Sequence, residues 1–128
     1  MRELEPEVRD FLGRYVHSIE DLEVLLLLRA GEDREWSPED VAARLNTSLD
    51  SARACLQSLA HHGLLTTRDN PAEYRYDPQY AGLDSVAQRV EQAYAARRVS
   101  VIEYIFSRPL QKIRSFADAF RLKEDKKE

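Results

Sequence analysis

The residues of this chain that could perform chemistry are a lone cysteine, two adjacent histidines and many carboxylates. Cys55 could act as a redox switch, because oxidation would move the helix on which we expect it to lie. The alternative, which we favour, is a small core residue, since buried free cysteine commonly packs as a hydrophobe. His61 and His62 would point about 100° apart on a helix, so a metal would need further ligands. We therefore expect no metal and no cofactor.

The carboxylates are scattered in the pattern typical of solvated helix faces. The sequence contains neither the G-x-S-x-G nor the H-E-x-x-H motif, which mark a nucleophilic serine and a zinc-dependent protease. Only four glycines are present, which argues against a glycine-rich loop that cradles phosphates. We therefore expect a protein that is not an enzyme.

Composition and length predict a mainly helical protein of one domain with an appendage. The chain has 128 residues, enough to bury one modest core. No apolar run approaches the roughly 18 residues that a membrane span needs, and the acidic N-terminus lacks the apolar stretch of a signal peptide. One cysteine excludes an internal disulfide framework. We expect a cytoplasmic protein that does not enter a membrane.

The net charge of −4 is unevenly distributed. Residues 1–80 carry 9 Lys+Arg and 16 Asp+Glu, a balance of 9 − 16 = −7, and contain no lysine. Residues 81–128 carry 10 and 7, a balance of 10 − 7 = +3. A nucleic-acid-binding half would usually be basic, because affinity comes largely from neutralising phosphates.

The spacing of residues 37–65 predicts a short helix, a tight turn, a longer helix and a glycine that ends it. Ser37 is a good cap for the first helix, and Asn46 at its end tolerates a left-handed backbone. Thr47 or Ser48 caps the second helix, which Gly63 breaks. This is the pattern of a helix-turn-helix. The buried face of the second helix is expected to carry Leu49, Ala52, Leu56 and Leu59, with Cys55 beside them.

The flanking segments complete a mainly α fold with a small β-wing. Residues 64–68 and 73–76 read as two strands joined by a turn at 69–72, and Tyr74 and Tyr76 should share one face. Trp36 is expected on a further short strand. The expected regions are an N-terminal helix in 1–17, a winged helix-turn-helix domain in 18–80, a C-terminal helical extension in 81–122 and a charged tail in 123–128.

Residues 19–77 resemble the winged helix-turn-helix of bacterial transcription regulators, the class that includes the MarR-like and PadR-like families. The resemblance implies a recognition helix over 48–61 and a wing tip at 69–72. Asn46 occupies the turn position where these families often have glycine. The residues that carry the resemblance are Ala42, Leu45, Leu56, Leu59 and the exit Gly63-Leu64-Leu65.

The resemblance also implies which residues would face double-stranded DNA. Ser48 and Ser51 would hold phosphates, and Arg53 and Gln57 would reach base edges in the major groove. Arg68 or Arg75 on the wing would enter the minor groove. Asp50 departs from this pattern, because it places a negative charge where a phosphate would lie. A homodimer would double the number of arginines that contact DNA. The alternative to a DNA-binding surface is one that is merely solvated or that binds a protein.

The C-terminal region reads as a long helix from Leu83 to about Phe106, a break at 107–110 and a last helix. In such regulators helices of this kind often mediate dimerisation. The alternative is that residues 99–106 fold back onto the helix of residues 6–16 within one chain. We expect a homodimeric DNA-binding transcription regulator; the competing hypothesis is a protein–protein interaction module that does not bind DNA. The predicted dimerisation or partner residues are Leu83, Val86, Val90, Tyr94, Val101, Ile105, Phe116 and Phe120.

Overall fold

The computed structural model describes residues 4–31, 33–68 and 72–107. Phe116, Phe120 and the charged tail lie outside the described residues. The described part is mainly α with a small two-stranded β-wing, as the sequence predicts. Its elements in chain order are α1 (Pro6–Tyr15), α2 (Ile19–Ala30), α3 (Pro38–Leu45), α4 (Leu49–His61), β1 (Leu65–Arg68), β2 (Glu73–Tyr76), α5 (Ala81–Ala96) and α6 (Arg98–Ser107).

Serine side chains cap the N-termini of α2, α3 and α4. The hydroxyl oxygen of Ser18 accepts a hydrogen bond from a backbone N–H three residues later, over 3.1 Å, and Ser37 does the same at 3.1 Å. Ser48 accepts from the backbone N–H of Ser51 at 3.0 Å, so Ser48 rather than Thr47 is the cap of α4. Each such cap typically stabilises a helix by about 1 kcal/mol.

Two positive-φ residues set the ends of the helix-turn-helix. Asn46 has φ 57° and ψ 49°, the left-handed conformation that the sequence predicts for the turn between α3 and α4. Gly63 has φ 85°, and a Cβ there would overlap the side chain of Gln79. The backbone N–H of Leu64 donates to the carbonyl of Leu59 at 3.1 Å. This closure of α4 directs the chain into β1.

The wing is an antiparallel hairpin in which Leu65 pairs with Tyr76 and Arg68 with Glu73. Trp36 adds a single bridge to Tyr74, through backbone hydrogen bonds of 2.7 and 2.8 Å, so the predicted short strand is one bridging residue. Tyr74 and Tyr76 are both buried, as their expected shared face requires. The opposite face of the hairpin is exposed.

The core lies around α2, which contacts α3, α4 and β2. Because α2 is surrounded in this way, its apolar residues cover a wide arc. Of the described residues, none belongs to a helix both long and apolar enough to span a lipid bilayer. The largest fully buried side chains are Leu12, Leu22, Leu25, Leu28, Leu56, Leu59 and Leu64, with Val8, Val16, Val24, Val41 and Val90.

The expected single helix from Leu83 to about Phe106 is wrong in one respect: the structure divides it at Arg97. That residue has φ −136° and ψ 54°, outside the helical region, and it is exposed rather than part of the apolar stripe. Beyond the bend, α6 contacts α1, which α5 also contacts. The hydroxyl of Tyr104 donates to the carbonyl of Arg9 at 3.4 Å.

Packing of α5 and α6 on α1 covers much of the apolar surface that the sequence assigns to a partner. Leu83, Val90, Tyr94, Val101 and Ile105 are at most 8% exposed within the single chain, and Val86 is half-buried. The first five residues belong to the hydrophobic core of the single chain and Val86 packs against it; their role in contacts with a second copy stays a prediction. The exposed large hydrophobic residues among those described are Tyr80, Val99 and Phe106.

Candidate nucleic-acid interface

Helix α4, the predicted recognition helix, has a buried apolar face and an exposed polar face. Ala52, Cys55, Leu56 and Leu59 are buried against the rest of the helix-turn-helix. On the opposite face of the helix, the polar residues that the resemblance assigns to DNA point outward. This exposed face carries Ser48, Asp50, Arg53, Ala54 and Gln57, with Ser51 half-buried at its edge.

The N-terminus of α4 is the natural place on this face for a phosphate. The first backbone N–H groups of a helix have no partner inside the helix and carry the positive end of its dipole. Ser48 satisfies the N–H of Ser51. Asp50 lies in the same first turn with a side chain that is 98% exposed, so it competes with an incoming anion for this positive potential.

Arg53 forms an ion pair with Asp50, one turn earlier on the same helix. The guanidinium nitrogen and the carboxylate oxygen are 3.8 Å apart, and the arginine side chain is 48% exposed. An exposed pair of this kind is weak, at about 0.2–1 kcal/mol. Arg53 can therefore leave Asp50 for a stronger acceptor such as a base edge.

The two wing arginines lie on the exposed face of the hairpin, and each also has a carboxylate partner. Arg68 is 2.9 Å from Glu35, which precedes the bridging Trp36. Arg75 is 3.9 Å from Asp77 just beyond β2. The structure thus brings the predicted wing residues together on one face, but with their charges partly neutralised.

Two further arginines near the wing were not among the predicted DNA-binding residues. The guanidinium of Arg34 lies 3.7 Å from the ring centroid of Trp36, and that of Arg44 lies 5.5 Å from it. Arg34 also pairs with Asp40 at 3.3 Å, whereas no ion pair joins Arg44 to a described residue. The basic position near the end of α3 was visible in the sequence, but its proximity to the wing follows only from the fold.

A polar network fixes the wing against α2 and α5. The hydroxyl of Tyr76 donates to Asp84 at 2.5 Å, and Arg29 is 3.5 Å from the same carboxylate and also pairs with Glu91. Burial, and then the hydrogen bond to Asp84, raise the pKa of Tyr76. This phenol is therefore a neutral hydrogen-bond donor, and the orientation of β2 is tied to α5.

Cys55 lies on the buried side of α4, whereas His61 ends the exposed face of the helix and His62 follows it half-buried. Burial, followed by the nearby carboxylate of Asp21, raises the pKa of the Cys55 thiol, so the thiol is not activated. His62 contacts His61, His17 and Tyr15, with ring centroids 5.5, 5.9 and 5.4 Å away. The described residues contain no group of three or more potential ligands arranged to hold a metal ion.

Comparisons with known proteins bear on the fold. No protein-family model and no curated protein matches this sequence. Reduced HlyU from Vibrio cholerae matches with a TM-score of 0.51 and 21% identity, over 70% of this chain and 88% of HlyU. The transcriptional regulator Tm0710 from Thermotoga maritima matches at 0.50 and 12%, over 95% of this chain and 86% of its own. A mutant of MarR from E. coli matches at 0.51 and 14%, over 91% and 83%.

These neighbours share a winged-helix fold, the class that includes the transcriptional regulator Tm0710 and MarR. The chain therefore has the winged helix-turn-helix fold of that class, as the sequence resemblance predicts. At these identities the likeness shows the fold alone.

Proposed function

We propose that this protein is a DNA-binding transcription regulator that acts as a homodimer. The observation that carries the proposal is the outward face of α4, where Ser48, Arg53 and Gln57 are exposed while the opposite face is built into the core. Polar residues on one face of a well-anchored second helix are what major-groove recognition requires. The fold shared with known regulators supports the same conclusion.

In this proposal α4 enters the major groove with its N-terminus towards the phosphates. Ser48 and Ser51 then position the backbone, and Arg53 and Gln57 contact base edges. Arg68 and Arg75 reach the neighbouring minor groove or its phosphates from the exposed face of the wing.

Dimerisation would bring two such surfaces to one DNA segment. Tyr80, Val99 and Phe106 are 58%, 66% and 66% exposed, and their burial against a second copy would remove apolar surface from water. The predicted contacts through Phe116 and Phe120 remain part of this proposal. Light scattering at micromolar concentration tests it, and a monomer there would refute the homodimer.

The test of DNA binding uses a fluorescent duplex pool with a randomised centre, titrated by anisotropy at low and moderate salt. Binding at low salt that weakens as salt rises is expected, because phosphate contacts release counterions. Arg53→Ala should weaken binding to a duplex selected from this pool by about 5- to 100-fold. Arg75→Ala should reduce the salt slope, which is the slope of log affinity against log salt concentration, by about 1.

The matched control is Arg14→Ala. Arg14 is an exposed arginine on α1 that pairs with Asp10 at 3.1 Å, so its removal changes the net charge equally without touching α4 or the wing. Affinity within about 2-fold of the unmodified protein is expected. Absence of any duplex binding at low salt would refute the regulator function.

The second candidate is a protein–protein interaction module. The balance of −7 over residues 1–80 favours it, as do the carboxylates beside each predicted DNA-contacting arginine. Such a module would have the same fold and would show no salt-dependent binding to duplex DNA.

A further inference from the structure

Each of the three predicted DNA-contacting arginines is paired with a carboxylate, and the three carboxylates come from different parts of the chain. Asp50 belongs to α4, Asp77 follows β2, and Glu35 lies on the segment that bridges to the wing. Glu35 is the least exposed of them, at 33%, and the backbone of the adjacent Trp36 is hydrogen-bonded to the wing. The backbone hydrogen bonds of Trp36 therefore hold Glu35 close to Arg68.

Arg68 has a second carboxylate beside it. Glu73 is its cross-strand neighbour in the hairpin. A hydrogen bond with Glu35, followed by burial, raises the pKa of Glu73. The positive charge of Arg68 is therefore opposed from both the bridging segment and β2.

We propose that Asp50, Glu35 and Asp77 are specificity-determining residues, which hold the arginines in ion pairs so that generic DNA binds poorly and a cognate site binds well. This inference rests on the proposed DNA-binding function and assigns these carboxylates a role within it. They act because each arginine must break its ion pair before it contacts DNA, and the free energy of that step is subtracted from binding.

The physical reason lies in the difference between the two kinds of DNA contact. On generic DNA, a phosphate must displace the carboxylate and remain close to it, so attraction is offset by repulsion within the Debye length of about 8–10 Å. On a cognate site, Arg53 gains paired hydrogen bonds to a base edge, which a phosphate does not provide. Asp50 therefore weakens generic binding more than specific binding, and Glu35 and Asp77 do the same where Arg68 and Arg75 enter a minor groove whose width depends on sequence.

The expected size follows from the exposure of the pairs. The need to break an exposed ion pair lowers the affinity of its arginine for DNA by about 1.4- to 5-fold. Three pairs in one subunit then account for about 3- to 100-fold in affinity for generic duplex. Each arginine freed to neutralise a phosphate also steepens the salt dependence by about 0.9 in log–log slope.

The experiment compares two variants of the full chain with equal changes in net charge. The test variant combines Asp50→Asn, Glu35→Gln, Asp77→Asn and Glu73→Gln. Glu73 is included because it would otherwise take the place of Glu35 beside Arg68.

The control variant combines Glu5→Gln, Glu7→Gln, Asp10→Asn and Glu103→Gln, four exposed carboxylates on or next to α1 and on α6. Both variants and the unmodified protein are titrated with the randomised duplex pool and with a duplex enriched from it by the unmodified protein. Circular dichroism confirms that all three proteins are folded.

The proposal expects the test variant to bind the randomised pool about 10-fold tighter, with a steeper salt slope, and to gain less on the enriched duplex. An equal gain by the control variant would overturn it, because net charge alone would explain the effect. An equal gain on both duplexes would also overturn it, since discrimination would be unchanged. These results leave the proposed function intact, whereas no binding by any of the proteins at low salt would refute both.

Discussion

Truncation of Leu56 to alanine tests which face of α4 belongs to the core. Leu56 is fully buried, and α4 contacts α2, α3 and β1. Leu→Ala changes in cores cost 2–5 kcal/mol, increasing with the cavity that remains. Because neighbouring elements restrain collapse on several sides, we expect Leu56→Ala to lower the free energy of unfolding by about 3–4 kcal/mol. That corresponds to a fall in Tm of about 10–20 °C.

The matched control is the adjacent residue. Gln57 is exposed on the outer face of α4, so Gln57→Ala should change stability by at most about 0.5 kcal/mol while weakening binding to a selected duplex. Urea denaturation followed by circular dichroism measures the first effect, and anisotropy the second. A Leu56→Ala variant that loses less than about 1 kcal/mol, or a Gln57→Ala variant that loses as much as Leu56→Ala, would refute the assigned orientation of α4.

Three further predictions concern the turns and the histidine contacts. Asn46→Gly should leave stability within about 0.5 kcal/mol, whereas Asn46→Val should lower it by about 1–2 kcal/mol, because β-branched residues avoid the left-handed region; equal urea midpoints would contradict this. Gly63→Ala should lower Tm, since φ is 85° and Gln79 must move; an unchanged Tm would refute the strain. Burial, and then His17 and His61, lower the pKa of His62. The unfolded state therefore binds more protons, so stability should fall as pH drops through about 6.5 towards the lower folded pKa. His62→Phe should reduce that slope between about pH 7 and 5, and parallel stability profiles for the two proteins would exclude the effect.

Local signals in the sequence were sufficient for the helix-turn-helix. Ser37 and Ser48 are caps because a serine hydroxyl reaches a backbone N–H only three residues away. Asn46 turns the chain because few other side chains tolerate positive φ. Such interactions are complete within a few residues, which is why the starts of α3 and α4 and the turn between them could be predicted.

The end of the helical extension could not be predicted in this way. Residues 99–106 are rich in β-branched and aromatic side chains, a pattern that is compatible with a strand, a buried helix or a dimer interface. The burial of Val101 and Ile105 results from the bend at Arg97 and from packing of α6 on α1, where Tyr104 contacts Arg9, 95 residues earlier in the chain. The partner role of Val101 and Ile105 stays a prediction, because a sequence pattern shows that a face is apolar but not what covers it.

The electrostatic character of the candidate site also depends on tertiary structure. The sequence alone determined that Arg53, Arg68 and Arg75 would be exposed, since each is separated from the buried positions of its own element by the helical or strand period. It also placed Asp50 and Arg53 one turn apart on the same helix, and the structure shows that they form an ion pair. Only the fold places Glu35 beside Arg68, because that contact joins the segment before α3 to the wing. Periodicity acts within an element, whereas charge compensation acts through space between elements that only the packed core brings together.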